Sequence, residues 1–414
     1  MWVAFIHLIS ELLRLVEIPL LGIILLHTLL NMRMLSRLKA APIKGEILQN
    51  LSVLVPARNE ERRIRECLTS LIAQEPRVRE IILLNDHSAD RTAEIALELG
   101  FREGAGQWLR IIHGDLLPEG WVGKNWACHQ LSLASDPKSS HLLFTDADTI
   151  HGSSCHRSAL AHAKERRTDL LSLWPDQITG TWSEKLVIPL GYLLFMSFQP
   201  FAALAWLQSV PERVSRWRFS RTQLASMGAA NGQFLLFSRS AYEKLGGHEA
   251  LKDHLVEDIA FGRRVAAGTG DGMRLVNADG IDLLRCRMYV GFSELWEGFS
   301  KNLRPVFEES QVGFFLFGLV ISMLFLIPFG LLLLGWYSVA FKDWIYPALI
   351  CVVLIYTTRF LLTIRFRTSW LGLIAHPIGL AMALLIAVNS WRLCLGRGVS
   401  WKGRHYSGTT RSSL

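Results

Sequence analysis

The sequence predicts an α/β fold: a Rossmann-like, mostly parallel sheet flanked by helices, with transmembrane helices at both ends of the chain. Three observations predict it. Between residues 51 and 287, short apolar runs alternate with segments of helical periodicity. Outside that region lie apolar stretches long enough to cross a bilayer. Each candidate strand ends in polar or acidic residues, and open α/β sheets bind ligands at that edge. Composition agrees, since half of the 414 residues are hydrophobic and only 19% are charged. That is too apolar for an all-soluble enzyme and too charged for a pure transporter.

The first apolar stretch covers residues 12–30. It lacks a basic leader and a small-residue cleavage site, so an anchor is expected rather than a removable signal. Arg33, Arg37, Lys39 and Lys44 follow it, and the positive-inside rule then places the next domain in the cytoplasm. Glu17 inside the stretch is tolerable near the outer interface. Residues 51–55, 81–84 and 141–144 read as buried parallel strands. Between the first two, Ile64, Cys67, Leu68 and Leu71 recur at helical spacing.

Residues 186–207 are apolar but broken by Pro189 and Pro200, and Trp206, Arg213, Arg216, Trp217, Arg218 and Arg221 lie close by. This segment reads as interfacial or re-entrant rather than as a crossing. A second surface helix is expected over 292–303, where Phe292, Leu295, Trp296, Phe299 and Leu303 share a face. Three further spans are expected near 312–334, 344–362 and 371–395, followed by a basic tail with Arg397, Lys402 and Arg404. Three crossings from a cytoplasmic domain put that tail outside, against the charge rule. The division is therefore an anchor at 1–35, a catalytic domain at 45–310, apolar helices at 311–395 and a tail at 396–414.

The net charge of +8 fits attraction to anionic lipid. No zinc-finger spacing or aromatic RNA-binding signature points to nucleic acid. The six cysteines are scattered without a CxxC pair, so neither a disulfide framework nor a zinc site is expected.

Four polar clusters follow candidate strands or precede a helix. Pro56, Ala57, Arg58, Asn59 and Glu60 follow the first strand. They offer backbone N–H groups and a polar rim suited to a nucleotide, or else an ordinary helix cap built on Asn59. Asn85 and Asp86 follow the second strand; a carboxylate there can accept hydrogen bonds from a base or ribose, and Asp90 reads as a cap. Asp146 and Asp148 follow the third. In extended chain, residues i and i+2 point to one side, and two oxygen ligands on a rim suit a hard divalent cation that takes further ligands from phosphates. Glu257 and Asp258 precede an apolar helical pattern, where a carboxylate can serve as base or merely stabilise a helix start. Lys124, in Gly120–Trp126, could contact a diphosphate as a point charge. Gly228, Asn231 and Gly232 permit close backbone approach to an acceptor, or simply tight packing.

Ala57-Arg-Asn-Glu60, Asn85-Asp86, Asp146-Ala-Asp148 and Glu257-Asp258, in this order and at these separations, resemble family 2 glycosyltransferases of the GT-A fold. The resemblance covers roughly residues 51–303. The 120–126 segment, the membrane arrangement and the Trp401-Lys-Gly-Arg404 ending resemble the subgroup associated with hopanoid and carotenoid biosynthesis. The resemblance implies an integral membrane enzyme with a cytoplasmic catalytic domain and inverting transfer in a single displacement. The donor would be a nucleotide-diphosphate sugar, with UDP-sugars expected, and the acceptor a membrane lipid of hopanoid, carotenoid or other isoprenoid type. Asp86 would contact the nucleotide. Asp148, with Asp146 nearby, would hold Mg²⁺ or Mn²⁺ against the diphosphate. Asp258 would be the general base, supported by Glu257. The Q-x-x-R-W motif of polysaccharide synthases is missing, with Arg285, Arg287 and Trp296 in that neighbourhood, so transfer of one sugar is favoured over a processive polymerase. A polyprenyl-phosphate sugar synthase is the alternative within the class. A transporter or scaffold that only binds nucleotide is the alternative outside it, against which stands the scarcity of ionisable residues in the later spans, with Arg359 the main one.

Overall fold

The structure, a computed structural model, describes residues 2–42, 47–307, 310–395, 399–401 and 404–406. Lys44, Arg397 and Lys402 lie outside these residues. The strands between residues 51 and 286 are β1 (Leu51–Ala57), β2 (Glu80–Asn85), β3 (Leu109–His113), β4 (His141–Thr145), β5 (Thr149–His151), β6 (Leu170–Trp174), β7 (Asp176–Gln177), β8 (Phe234–Ser238), β9 (Leu275–Asp279) and β10 (Leu284–Cys286). Among the described residues, seven of them form one sheet in the order β3-β2-β1-β4-β8-β6-β9. β1 pairs in parallel with β2 and β4, β2 with β3, and β6 with β9, while β8 runs antiparallel to both its neighbours. A small second sheet, β5-β10-β7, lies beside it.

The strands read from sequence at 51–55, 81–84 and 141–144 are the parallel centre of this sheet. β2 and β6 are buried along their whole length, because helices cover both faces and alternation is lost. The helices of this domain are α3 (Ile64–Ile72), α4 (Thr92–Glu98), α5 (Gly123–Ala134), α6 (Cys155–Arg166), α10 (Arg221–Ser226), α11 (Arg239–Lys244), α12 (Glu257–Ala267) and α13 (Gly291–Asn302). Ile64, Cys67, Leu68 and Leu71 of α3 pack with Val53, Val55 and Ile81 on one face. Leu54 and Ile82 meet α5 and α12 through Cys128, Leu131, Phe261 and Val265 on the other.

The apolar segments form a helical bundle: α1 (Trp2–Leu12), α2 (Ile18–Met34), α7 (Trp182–Phe198), α8 (Phe201–Ser209), α14 (Gln311–Phe325), α15 (Ile327–Tyr337), α16 (Ile345–Phe366), α17 (Trp370–Ile374) and α18 (His376–Leu395). The short α9 (Glu212–Arg218) leads from α8 towards α10. The segment read as interfacial or re-entrant at 186–207 packs at the centre of this bundle and is bent by 47° between α7 and α8, the geometry of a broken span or a re-entrant loop. Leu193 and Met196 of α7 pack with Leu21 and Ile24 of α2, Ile355 of α16 and Leu380 of α18. The contact is close: a Cβ on Gly372 would sit 2.2 Å from the Lys185 carbonyl oxygen, and one on Gly379 2.7 Å from that of Leu186. Small residues let apolar helices approach in this way. Pro189 lacks an N–H, so it leaves the Lys185 carbonyl without its helical donor. Arg359 is spent on packing too, donating to the carbonyls of Pro189 at 3.0 Å and Gly372 at 2.7 Å.

Two helical stretches of the described residues, 339–366 and 376–395, are long and apolar enough to cross a membrane, and up to four are if each bent pair counts as one. α14 has 15 residues and α15 has 11, about 22 and 16 Å at 1.5 Å per residue. Neither alone spans a hydrocarbon core of about 30 Å. The stretch expected at 312–334 is therefore divided at Leu326, two residues before Pro328.

Arg37, one of the basic residues after the first apolar stretch, turns inward. Its Nε lies 3.0 Å from Asp279 Oδ2 at the end of β9, and Arg365 at the end of α16 pairs with the same carboxylate. Backbone bonds Leu38 N to Asp279 O and Asp279 N to Ser36 O complete the latch. It ties the bundle to the sheet edge. Asp279 has no exposed surface, so Asp279→Ala would remove the shared partner of two partly buried guanidinium groups, at a cost of about 1–3 kcal/mol. The expected result is a clear drop in melting temperature in detergent, read by differential scanning fluorimetry; an unchanged melting temperature would contradict the latch.

Candidate functional site

A cleft of about 270 Å³ opens at the carboxyl ends of β1, β2 and β4. It is lined by Pro56, Ala57, Arg58 and Glu60, by Asp86, by Lys124, by Asp146 and Asp148, by Asn231 and Gly232, and by Glu257 and Asp258. Acidic positions spread over more than 170 residues of sequence thus face one hollow. Asn59 and Gly228 are not part of its wall.

The floor on the β1–β2 side is two loops stitched together. Asp86 N donates to Ala57 O at 2.8 Å, and Arg58 Nη1 donates to Asp86 O at 2.7 Å. Asn59 sits at φ 53°, a left-handed conformation that Asn tolerates. Its Oδ1 accepts from Ala89 N and its N–H donates to Ser88 Oγ. It caps no helix, since α3 begins only at Ile64; Asn59 is a fastener between the loops. Asp90 accepts from the N–H groups of Thr92 and Glu61, which places it at the start of α4 as the sequence suggests.

Asp146 and Asp148 rest on a buried polar network. Thr149 Oγ1 donates to Asp146 O at 2.8 Å, and Thr145 Oγ1 donates to Gln233 O at 2.8 Å. His151 Nε2 lies 3.0 Å from the Thr149 hydroxyl and 3.2 Å from that of Thr145. Burial pushes the His151 imidazole down to about 3, so it is a neutral strut. Among the described residues no group of three or more His, Cys, Asp or Glu could hold a metal ion by itself. Two carboxylates on a polar rim without imidazole ligands nevertheless fit a hard divalent cation that completes its shell with water and phosphate. Mg²⁺ or Mn²⁺ suits this donor set, and zinc does not.

The β8 and α12 side carries the other acids. Asp258 Oδ2 accepts from Gly232 N at 2.8 Å, and Oδ1 accepts from Ile259 N at 2.8 Å. Burial first, and then the neighbouring Glu257 charge, raise the Asp258 carboxyl to about 6, against the lowering influence of Lys124 and the two amides. Lys124 Nζ lies 2.8 Å from both Asp146 Oδ1 and Glu257 Oε1. Gly228 serves packing: a Cβ there would meet Gly262 O at 2.2 Å. Gly232 serves Asp258, since a Cβ would sit 3.0 Å from its Oδ2. Gly232→Ala is therefore expected to displace the carboxylate from its two amide donors and lower the melting temperature in detergent; an unchanged melting temperature would argue against it.

Sequence reasoning missed a further wall, formed by Gln233, Met288, Tyr289, Lys301 and Asn302. Antiparallel pairing of β10 with β5 sets Cys286 opposite Thr149, next to Asp148, and Gln233 Nε2 donates to Cys286 Sγ at 3.0 Å. The amphipathic pattern at 292–303 revealed helix α13, but its role as a cavity wall came from tertiary contacts. Glu294 of α13 pairs with Arg63 at 2.7 Å, and Glu184 of α7 accepts from Gly291 N at 2.7 Å. Arg285 and Arg287 turn away to Asp176 and Glu184.

Residues 52–246 match the family described as glycosyl transferase family 2. The chain is 27% identical over 370 residues to 4,4'-diaponeurosporenoate glycosyltransferase of Staphylococcus aureus strain USA300, covering 86% of this chain and 88% of that one. Among solved structures, it is similar to mannosyltransferase PcManGT from Pyrobaculum calidifontis in complex with GDP-Man and Mn²⁺, at 15% identity and TM-score 0.45 over 96% of this chain and 99% of that one. It is also similar to S. aureus TarS 1-349 in complex with UDP, at 17% identity and TM-score 0.36, covering 63% of this chain and 66% of that one, just under two thirds of its length.

Proposed function

For a chain whose residues 52–246 form a glycosyl transferase family 2 domain of GT-A fold, we propose that it transfers a single sugar from a nucleotide-diphosphate sugar to an isoprenoid-type lipid in the membrane. The transfer is an inverting displacement at the cytoplasmic face. One observation carries this reading: the cleft that gathers Asp86, Asp146, Asp148, Glu257 and Asp258 has as its far wall a helix fastened to the apolar bundle. Ser300 Oγ of that helix, α13, accepts from Asn389 of α18 at 2.9 Å, and Arg304 N just beyond it donates to Ser390 Oγ at 2.9 Å. That fastening supports an acceptor drawn from the bundle side of the cleft, beside α18. The relative's name supplies an isoprenoid acceptor for that protein, diaponeurosporenoate.

In this reading Arg58 and Asp86 flank the nucleotide, and UDP-sugars are the expected donors. Asp146 and Asp148 hold a divalent cation, Mg²⁺ or Mn²⁺. That cation, when bound, supplies positive charge to the departing diphosphate. Asp258 accepts the proton of an acceptor hydroxyl as its oxygen bonds to the anomeric carbon and the bond from that carbon to phosphate oxygen breaks. A carboxylate raised to about 6 is ionised at neutral pH and still a better base than an ordinary one. Glu257, held by Lys124, keeps negative charge beside Asp258 and so sustains that basicity.

The test is incubation of purified protein in membranes with radiolabelled UDP- and GDP-sugars and isoprenoid lipids, with and without Mn²⁺, followed by lipid extraction. A labelled lipid that depends on metal supports the reading. No labelled lipid from any donor would overturn it, and product insensitive to chelator would remove the metal. A polyprenyl-phosphate acceptor, already an anion, would show itself by product formation independent of Asp258. A nucleotide-binding transporter finds no support in Arg359, whose guanidinium is bonded to two helix carbonyls.

A further inference from the structure

The segment from Val122 to Asn125 is built into the wall between the two acidic pairs. Val122 N donates to Lys252 O at 2.6 Å, and the fully buried Asn125 donates through Nδ2 to Leu251 O at 2.5 Å and His254 O at 2.9 Å. The backbone on both sides of Lys124 is thereby fixed to the loop that leads into Glu257 and Asp258. What can move is the lysine side chain, a single charge on a flexible four-carbon stem. It is just over one third exposed to the cleft and bridges Asp146 Oδ1 and Glu257 Oε1 at 2.8 Å each.

We infer that Lys124 is an exchangeable cation: it neutralises Asp146 while the cleft lacks donor, and moves onto the donor diphosphate when a divalent ion takes Asp146. The inference rests on the proposal that Asp146 and Asp148 hold that ion. Its physical basis is charge balance. An ammonium on Asp146 opposes a divalent ion at the same carboxylate, and so weakens binding of metal alone. A nucleotide diphosphate brings negative charge that gives Lys124 a new partner, so metal and nucleotide bind together better than either binds separately. Glu257 stays behind as the anchor from which the ammonium swings. Lys124 is in this sense a positioning residue for the metal, beyond any contact it makes with the donor.

The test is titration of Mn²⁺ into the full-length protein in detergent, following the free-ion signal by electron paramagnetic resonance, with and without UDP. In the native protein, UDP should tighten Mn²⁺ strongly. Lys124→Met should bind Mn²⁺ about tenfold more tightly without UDP, while the gain on adding UDP shrinks. Lys124→Arg, which keeps the charge, should bind Mn²⁺ without UDP as weakly as the native protein. Lys124→Gln serves as the neutral variant if Lys124→Met does not fold, judged by thermal melting. A neutral variant whose Mn²⁺ affinity without UDP is unchanged or weaker overturns the exchange, provided the native protein binds Mn²⁺ with UDP. Failure of the native protein to bind Mn²⁺ even with UDP removes the metal site itself, and the exchange with it.

Discussion

Asp258→Asn is expected to lower kcat on a hydroxyl acceptor by about 10²- to 10⁴-fold, with donor affinity little changed. Asn keeps the shape, and its oxygen can still accept the Gly232 and Ile259 N–H groups one at a time, so the cleft should persist. What is lost is the ability to take a proton. In the proposed role the same residue sets the pH profile. Its carboxyl stands at about 6, and the ionised form would be the base, so kcat/KM should fall tenfold per unit as pH drops below about 6 and level off above it. The direction follows from the role: an essential base is lost when it is protonated, whereas an essential acid would give the opposite limb. Measuring kcat/KM from pH 5 to 8 on the native enzyme and the variant decides the matter. A variant that keeps most of its activity, or a native profile flat through pH 6, would take the base away from Asp258.

Asp148→Asn is expected to cost about 10²-fold or more in kcat/KM, the scale of losing one fixed charge-stabilising contact at a transition state. The variant should need higher Mn²⁺ for half-maximal activity, and chelator should inhibit it by a smaller factor than the native enzyme. That shortfall is the informative part. Two insults to one metal site do not add, whereas removing a purely structural carboxylate would leave chelator sensitivity intact. The foundation under this site is a set of hydroxyls and a neutral imidazole, Thr145, Thr149 and His151, which fix the backbone of Asp146 without adding charge. Metal activation curves of the native enzyme and the variant read the outcome. Equal fold-inhibition by chelator in both proteins would remove Asp148 from the metal site.

The coupling of the cleft to the bundle gives the acceptor question a structural form. α13 connects the loops at one end, through Arg63 and Glu294, to α18 at the other, through Ser300 and Asn389. Lys301 and Asn302 reach the cleft from this helix, beside the surface where a lipid would lie. A carboxylate acceptor, unlike a hydroxyl, is already ionised at neutral pH and needs no base. Comparing acid and alcohol acceptors with the Asp258→Asn variant therefore reads acceptor chemistry as well as mechanism.

By itself the sequence determined the class of fold, the central strands and the acidic positions of the cleft. Those signals are local: continuous apolar runs where a strand is covered on both faces, and polar residues where it ends. It could not supply the antiparallel β8, the pairing of β10 with β5 or the wall made by α13, because strand partnering and helix docking are set by contacts distant in the chain. The same limit explains three individual residues. Asn59 has the composition of a cap, yet its bonds to Ser88 and Ala89 make it a fastener. Arg37 has the position of a lipid-facing charge, yet a buried carboxylate 242 residues away takes it. The stretch at 186–207 has the prolines of an interfacial or re-entrant element, and what packs it into the bundle is supplied from far along the chain: Gly372 and Gly379 allow close approach, and Arg359 donates to the Pro189 carbonyl. Local pattern fixes what a segment can be, and only tertiary structure decides what satisfies its polar groups and buries its apolar face.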